Sequence, residues 1–213
     1  MNKKLQALGT AAFTSAHQQG ALILDTRASA HFAAGYIAGA LNIGLTGDFA
    51  VWVGTLIDVD TPILLVVDPG RENEAVEQLS RIGYNNVVGY LQGGMYTWLT
   101  ERLPIDQVMT FDSSECVELL HTENYTLLDV RNRLEVAWHR MAGSVNIPLN
   151  ALKNKLNSLE KDKKWLVYCT GGYRGMIAAS LMKAHGFKFV ATIEGGIKEI
   201  IKRAPQLVEM DME

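Results

Sequence analysis
A chain of 213 residues can hold two domains of roughly a hundred residues each, and 48% apolar residues are enough to bury two cores. A charged fraction of 20% and a net charge of −3 argue against disorder and give no sign of a nucleic-acid partner. No apolar run approaches the ~20 residues that cross a bilayer, which argues against a membrane partner.

Taken in chain order, the opening MNKKLQALGTAAF places two lysines before a mildly apolar run, a faint likeness to a signal peptide. The internal repeat set out below argues against a leader: Leu5 to His17 falls on Met109 to His121, so cleavage would remove a first helix that both copies share. A cytoplasmic protein is expected. The chain also begins almost inside its first repeat, as a piece of a longer protein would. Short β-rich runs follow at Leu22–Thr26, Ile63–Val67 and Val87–Leu91, with a helical segment at Glu72–Ile82. Thr100 to Gln107 is a short connector containing Pro104 and no flexible Gly/Ser stretch, so the two halves are expected to pack as a fixed pair. Strands recur at Thr126–Val130, Trp165–Cys169 and Val190–Ile193. The pattern predicts an α/β protein of two domains, 1–103 and 107–213, each a central parallel sheet with helices on both faces.

The repeat is explicit. ILDTR (Ile23 to Arg27) returns as LLDVR (Leu127 to Arg131), and AGALNIGL (Ala38 to Leu45) as AGSVNIPL (Ala142 to Leu149). Asp25 and Asp129, Gly39 and Gly143, and Asn42 and Asn146 all lie 104 residues apart. Later, IGYNNVVGYLQGG answers HGFKFVATIEGG, with the offset drifting to 103 at Gly83/Gly186 and 102 at Gly93/Gly195.

The chemistry concentrates in WLVYCTGGYRGMIAASLMKAHGF. A strand ending at Cys169 puts the sulfur at the carboxyl edge of a sheet, where open α/β folds bind ligands. Gly171 and Gly172 let the backbone curl, including through positive φ, so that successive N–H groups from Thr170 to Arg174 can turn toward one point. The helix expected from about Gly175 adds its positive end, and Arg174 adds a full positive charge. All three favour an anion at Cys169, which is the expected nucleophile, with Thr170, Gly171, Gly172, Tyr173 and Arg174 as the substrate-binding loop. Cys169 as a small buried hydrophobe is the plainer alternative, but the glycines and arginine after it speak against that. Cys116, on a helix face with Leu119 and Leu120, is expected to pack. One cysteine is expected in each copy, at unrelated positions, which argues against a structural disulfide and fits a reducing compartment. Five histidines lack metal-ligand spacing, so neither a metal nor a cofactor is expected, and His139 is expected at the surface or in packing.

Cys169 and Arg174 are separated by four residues, one fewer than cysteine phosphatases use, and the loop resembles that of the rhodanese family. The DxR pairs (Asp25/Arg27 and Asp129/Arg131), the A-G-x-x-N-I segments and the GG before the last helix also resemble rhodanese landmarks. The family's usual histidine in GHIPGA falls on Tyr36 in the first copy and Arg140 in the second. The resemblance implies a sulfurtransferase that takes a sulfane sulfur from thiosulfate or a low-molecular-weight persulfide, carries it as a Cys169 persulfide, and passes it to a thiol or to cyanide. It also resembles the rhodanese pair of fusions with a metallo-β-lactamase-fold persulfide dioxygenase, which implies such a partner or fused domain, although no HxHxDH motif is present. Repeated in both copies, the DxR pairs are expected to hold the fold. In the first copy Asp68 is expected at the nucleophile position, in a loop two residues shorter, with Pro69, Glu72 and Glu74 making it hostile to an anion. The first domain is therefore expected to be catalytically silent. Two other classes remain: a non-catalytic rhodanese-like binding or regulatory module, and a cysteine phosphatase or arsenate reductase.

Overall fold
The computed structural model describes residues 5–122 and 124–209. Met1 to Lys4, the head of the segment weighed as a leader, lie outside the described residues. The chain divides into two compact units, 1–107 and 108–213.

The first unit runs β1 (Ala7–Leu8), α1 (Thr10–Gln18), β2 (Leu22–Asp25), α2 (Ser29–Ala34), β3 (Leu41–Asn42), α3 (Phe49–Leu56), β4 (Ile63–Val66), α4 (Glu72–Arg81), β5 (Val87–Leu91) and α5 (Gly94–Thr100). Its strands form one parallel sheet in the order β1-β5-β4-β2-β3, flanked by helices. The second unit runs β6 (Met109–Phe111), α6 (Ser113–Thr122), β7 (Tyr125–Asp129), α7 (Arg133–Trp138), β8 (Arg140–Met141), β9 (Val145–Asn146), α8 (Leu149–Lys155), β10 (Lys164–Tyr168), α9 (Tyr173–Ala184), β11 (Phe189–Ile193), α10 (Gly196–Arg203) and β12 (Val208–Glu209). Its sheet repeats the same parallel order, β6-β11-β10-β7-β9.

The central strands explain the continuous apolar runs. All four residues of β4 are buried, and β10 buries Trp165 through Tyr168, because a parallel strand covered on both faces has no wet side to alternate toward. The helix α9 follows the same logic: Gly175 through Met182 are all buried, so it carries apolar or small residues around its whole circumference. Each strand expected from sequence lies within one residue of its observed counterpart. The expected first helix differs, since Leu5 to His17 contains a short strand, β1, then an extended Gly9 that caps α1.

Each unit closes in the same way. Tyr36 bridges antiparallel to Asp106 and gives its hydroxyl to Asp106 Oδ2 at 2.9 Å, while its ring stacks on Phe32. In the second unit β8 pairs antiparallel with β12, Arg140 lying opposite Glu209 and bonded to it at 2.7 Å. The two residues standing at the family's histidine position are therefore fold closures. Gln107 also donates to Ala34 O, so the connector from Pro104 to Gln107 belongs to the first unit.

Position of the loops follows from topology. The chain leaves β7 toward β9 on one side of the sheet, then returns through β10 on the other side of β7. The loops after β7 and β10 consequently flank the crevice at the carboxyl edge, the usual ligand position in an open α/β sheet.

Candidate active site
Cys169 is the first residue past β10, a free thiol with 2% of its surface exposed. Gly172 adopts φ +95°, a left-handed conformation that bends the loop back so that its N–H donates to Cys169 Sγ at 3.2 Å. Gly171, also expected to use positive φ, does not, so Gly172 alone makes the turn. The helix α9 begins at Tyr173, two residues earlier than expected, and no side chain caps it. The carbonyls of Cys169 and Thr170 accept N–H bonds from Ile197 (2.9 Å) and Lys198 (3.3 Å) in the first turn of α10. That contact explains the GG landmark. Gly195 and Gly196 are both left-handed, and a Cβ on Gly196 would collide with the Cys169 carbonyl.

The loop's charge is balanced by a residue that sequence reading missed. Both terminal nitrogens of Arg174 bond Glu135, at 2.7 Å each, and the second also reaches Thr170 Oγ1 at 2.9 Å. The Thr170 hydroxyl donates to Glu135 Oε1 at 2.6 Å. Glu135 is anchored in turn as the third residue of α7, where it closes a reciprocal capping box with Asn132. The Arg174 hydrogen bonds, joined by Thr170 and the guanidinium charge, hold the Glu135 carboxyl well below its ordinary value, at about 2. Glu135 raises Arg174 in return. The expected free positive charge is thus already spent inside the protein. The NxxE spelling Asn132 to Glu135 marks a helix start, but nothing in it announces a partner in a loop 39 residues away.

The landmark residues behind this loop are structural. Asp129 and Arg131 form a buried bidentate pair, 0% and 1% exposed, and Arg131 also donates to the carbonyls of Glu135 and His139. Asn146 Nδ2 bonds the carbonyls of Asp129 and Arg131, fixing the turn between them. Arg27, Asp25 and Asn42 repeat every one of these contacts around Gly35 and His31. The clamp holds α7, and so Glu135, against the Cys169 loop. His139 is half-buried and contributes its carbonyl. Tyr173 is half-buried at the start of α9. Cys116 lies in the apolar core with Leu127, Leu166 and Ile197, and burial pushes its thiol up to about 12. Both cysteines fall in the second unit, not one in each copy as expected, because Cys116 already lies past the boundary at Gln107.

Sheet register corrects the comparison between copies. Asp25 lies opposite Val66 and Asp129 opposite Tyr168, and Thr26 and Val130 donate to the carbonyls of Val66 and Tyr168 respectively. The residue matching Cys169 is therefore Val67, with Asp68 on Thr170 and Glu72 on Arg174. Left-handed Gly70 (φ +86°) matches Gly172. Asp68 is thus not the counterpart of the nucleophile, and the loop is not shorter. Counted from the matched residues, Gly83 lies 16 positions past Val67 and Gly186 lies 17 past Cys169, so the first copy lacks a single residue, and it lacks it in the helix that follows, where α4 is shorter than α9. Glu72 and Glu74 do stand in the first turn of α4, and Arg71 is occupied by Glu74 at 2.7 Å. His31, at the position of Glu135, sits 3.6 Å from Asp68.

The profile of the rhodanese-like domain matches residues 11–101 and again 112–203. The chain belongs to the rhodanese-like domain family. Among its relatives, the tRNA uridine(34) hydroxylase of Buchnera aphidicola subsp. Baizongia pistaciae is 32% identical over 118 residues, 50% of this chain and 38% of the relative. That of Enterobacter sp. (strain 638) is 34% identical over 121 residues, 49% of this chain and 35% of the relative. The chain thus spans little more than a third of these curated relatives. Among solved structures, a rhodanese-related protein from Thermoplasma volcanium is 32% identical with a TM-score of 0.42, covering 45% of this rhodanese-family chain and 93% of its own. A thiosulfate sulfurtransferase from Pseudomonas aeruginosa is 21% identical with a TM-score of 0.43, covering 97% of this chain and 44% of its own.

Proposed function
We propose that the second rhodanese-like unit is a sulfurtransferase working by double displacement through Cys169. The observation that carries this reading is the Gly172 N–H donating to a free, buried Cys169 sulfur in a loop whose Cys169 and Thr170 carbonyls are taken up by α10. Such a pocket suits an anionic sulfur and the slim extra atom of a persulfide. The Cys169 thiolate attacks the outer sulfur of the donor, whose S–S bond breaks with the electron pair leaving on sulfite or a thiolate. The resulting Cys169 persulfide is then attacked at its outer sulfur by a thiolate or cyanide, which restores the thiolate. The backbone N–H groups of the loop hold the negative sulfur in both states. Glu135, Thr170 and Arg174 act as positioning residues that fix the shape of the loop.

Intact mass measurement after incubation with thiosulfate or glutathione persulfide tests this. A gain of one sulfur is expected, lost in Cys169→Ser and retained in Cys116→Ser. If Cys116→Ser is the inert variant, or if no donor adds sulfur, the reading falls. The name shared by the relatives supports a second reading, hydroxylation of uridine 34 in tRNA. Mass analysis of tRNA incubated with cell extract and the protein, with and without Cys169, separates the two.

A further inference from the structure
The cation of the loop is not free to meet a substrate. Arg174 directs both terminal nitrogens into Glu135, and the Thr170 hydroxyl is directed there too, so these three side chains satisfy one another. A second carboxylate-sized charge arriving beside Cys169 would meet a neutralised guanidinium with Glu135 immediately behind it. A guanidinium already neutralised by Glu135 gives that second charge little net attraction, whereas a single charge on the transferred sulfur is met by the Gly172 N–H and the helix start.

We infer that the donor for Cys169 is a sulfane-sulfur compound bearing one negative charge at its reacting end, a thiosulfonate or persulfide, and that the thiosulfate dianion is disfavoured by the Glu135–Arg174 pair. This rests on the sulfurtransferase reading and narrows its substrate. The step balances for a thiosulfonate: the Cys169 thiolate bonds the terminal sulfur, the donor S–S bond breaks, and a sulfinate leaves with the electron pair. One negative charge remains on the persulfide and one departs, with no oxidant or reductant required.

Thiosulfate and methanethiosulfonate provide the test, since they differ by a methyl group in place of one charged oxygen. Each rate of sulfur loading on the protein is divided by the donor's rate with free cysteine, which removes intrinsic reactivity. The parent protein is expected to favour methanethiosulfonate by about ten-fold or more, the worth of one charge-assisted contact. Glu135→Gln, which frees Arg174, should narrow that ratio by raising the thiosulfate rate, and this gain should shrink with added salt. Equal or better normalised use of thiosulfate by the parent protein overturns the inference, as does an unchanged ratio in a folded Glu135→Gln protein. Absence of sulfur loading from both donors overturns instead the sulfurtransferase reading beneath it.

Discussion

Glu135 shows how one side chain couples stability to the state of the loop. Its carboxyl ordinarily titrates near 4.5 but is held at about 2 by Arg174 and Thr170, with 28% of the side chain exposed. A folded-state value below the unfolded one means the unfolded chain binds the proton more readily. The stabilisation is therefore complete above about 4.5 and is lost as pH falls toward 2. Linkage sets an upper limit of about 3 kcal/mol, and partial exposure reduces it. Urea unfolding at pH 7 and at pH 3 should show the parent protein losing more stability than Glu135→Gln across that interval. Equal losses would mean that the ion pair contributes nothing. Sequence made Cys169 and Arg174 visible because they share one short loop. Glu135 stayed hidden because its role depends on the crevice between β7 and β10, a juxtaposition that only strand order creates.

At the level of elements, the loop after β10 takes its shape from α10 as much as from its own residues. The first turn of α10 donates to the carbonyls of Cys169 and Thr170, and only glycine at position 196 lets the two backbones approach so closely. Gly196→Ala must push α10 off the loop or force a side chain into left-handed φ. Loss of sulfur loading is expected, with destabilisation of about 1–3 kcal/mol from strain and unpaired carbonyls. Gly171→Ala is the contrast, since nothing lies within 4 Å of its added carbon and its φ is ordinary. It should load sulfur at close to the parent rate. If both variants behave alike, the docking of α10 does not set the loop. The parallel strands were legible because ILLVV and WLVY are bare apolar runs. By contrast, β3, β8, β9 and β12 have two residues each, too few for any periodicity, and are made by pairing alone.

Across the whole molecule, the two units keep one backbone plan and differ in what it carries. The clamp of Asp25, Arg27 and Asn42 duplicates that of Asp129, Arg131 and Asn146, and left-handed Gly70 duplicates Gly172. The shape of a cradle therefore survives in the first unit, while its chemistry does not. Val67 replaces the sulfur, Asp68 replaces Thr170, Glu72 replaces Arg174, and His31 replaces Glu135. Pro69 has no N–H to offer, and two carboxylates now flank the place where an anionic sulfur would form. Val67→Cys in a Cys169→Ser background should accordingly supply a buried thiol that fails to load sulfur. Adding Asp68→Thr, Glu72→Arg and His31→Glu to that variant should produce measurable loading by intact mass, because the backbone already curls as the active loop does. Loading by the single Val67→Cys variant would show that the side-chain charges do not silence this unit. Continued silence of the multiple variant, if folded, would place the defect in Pro69 and the backbone donors instead.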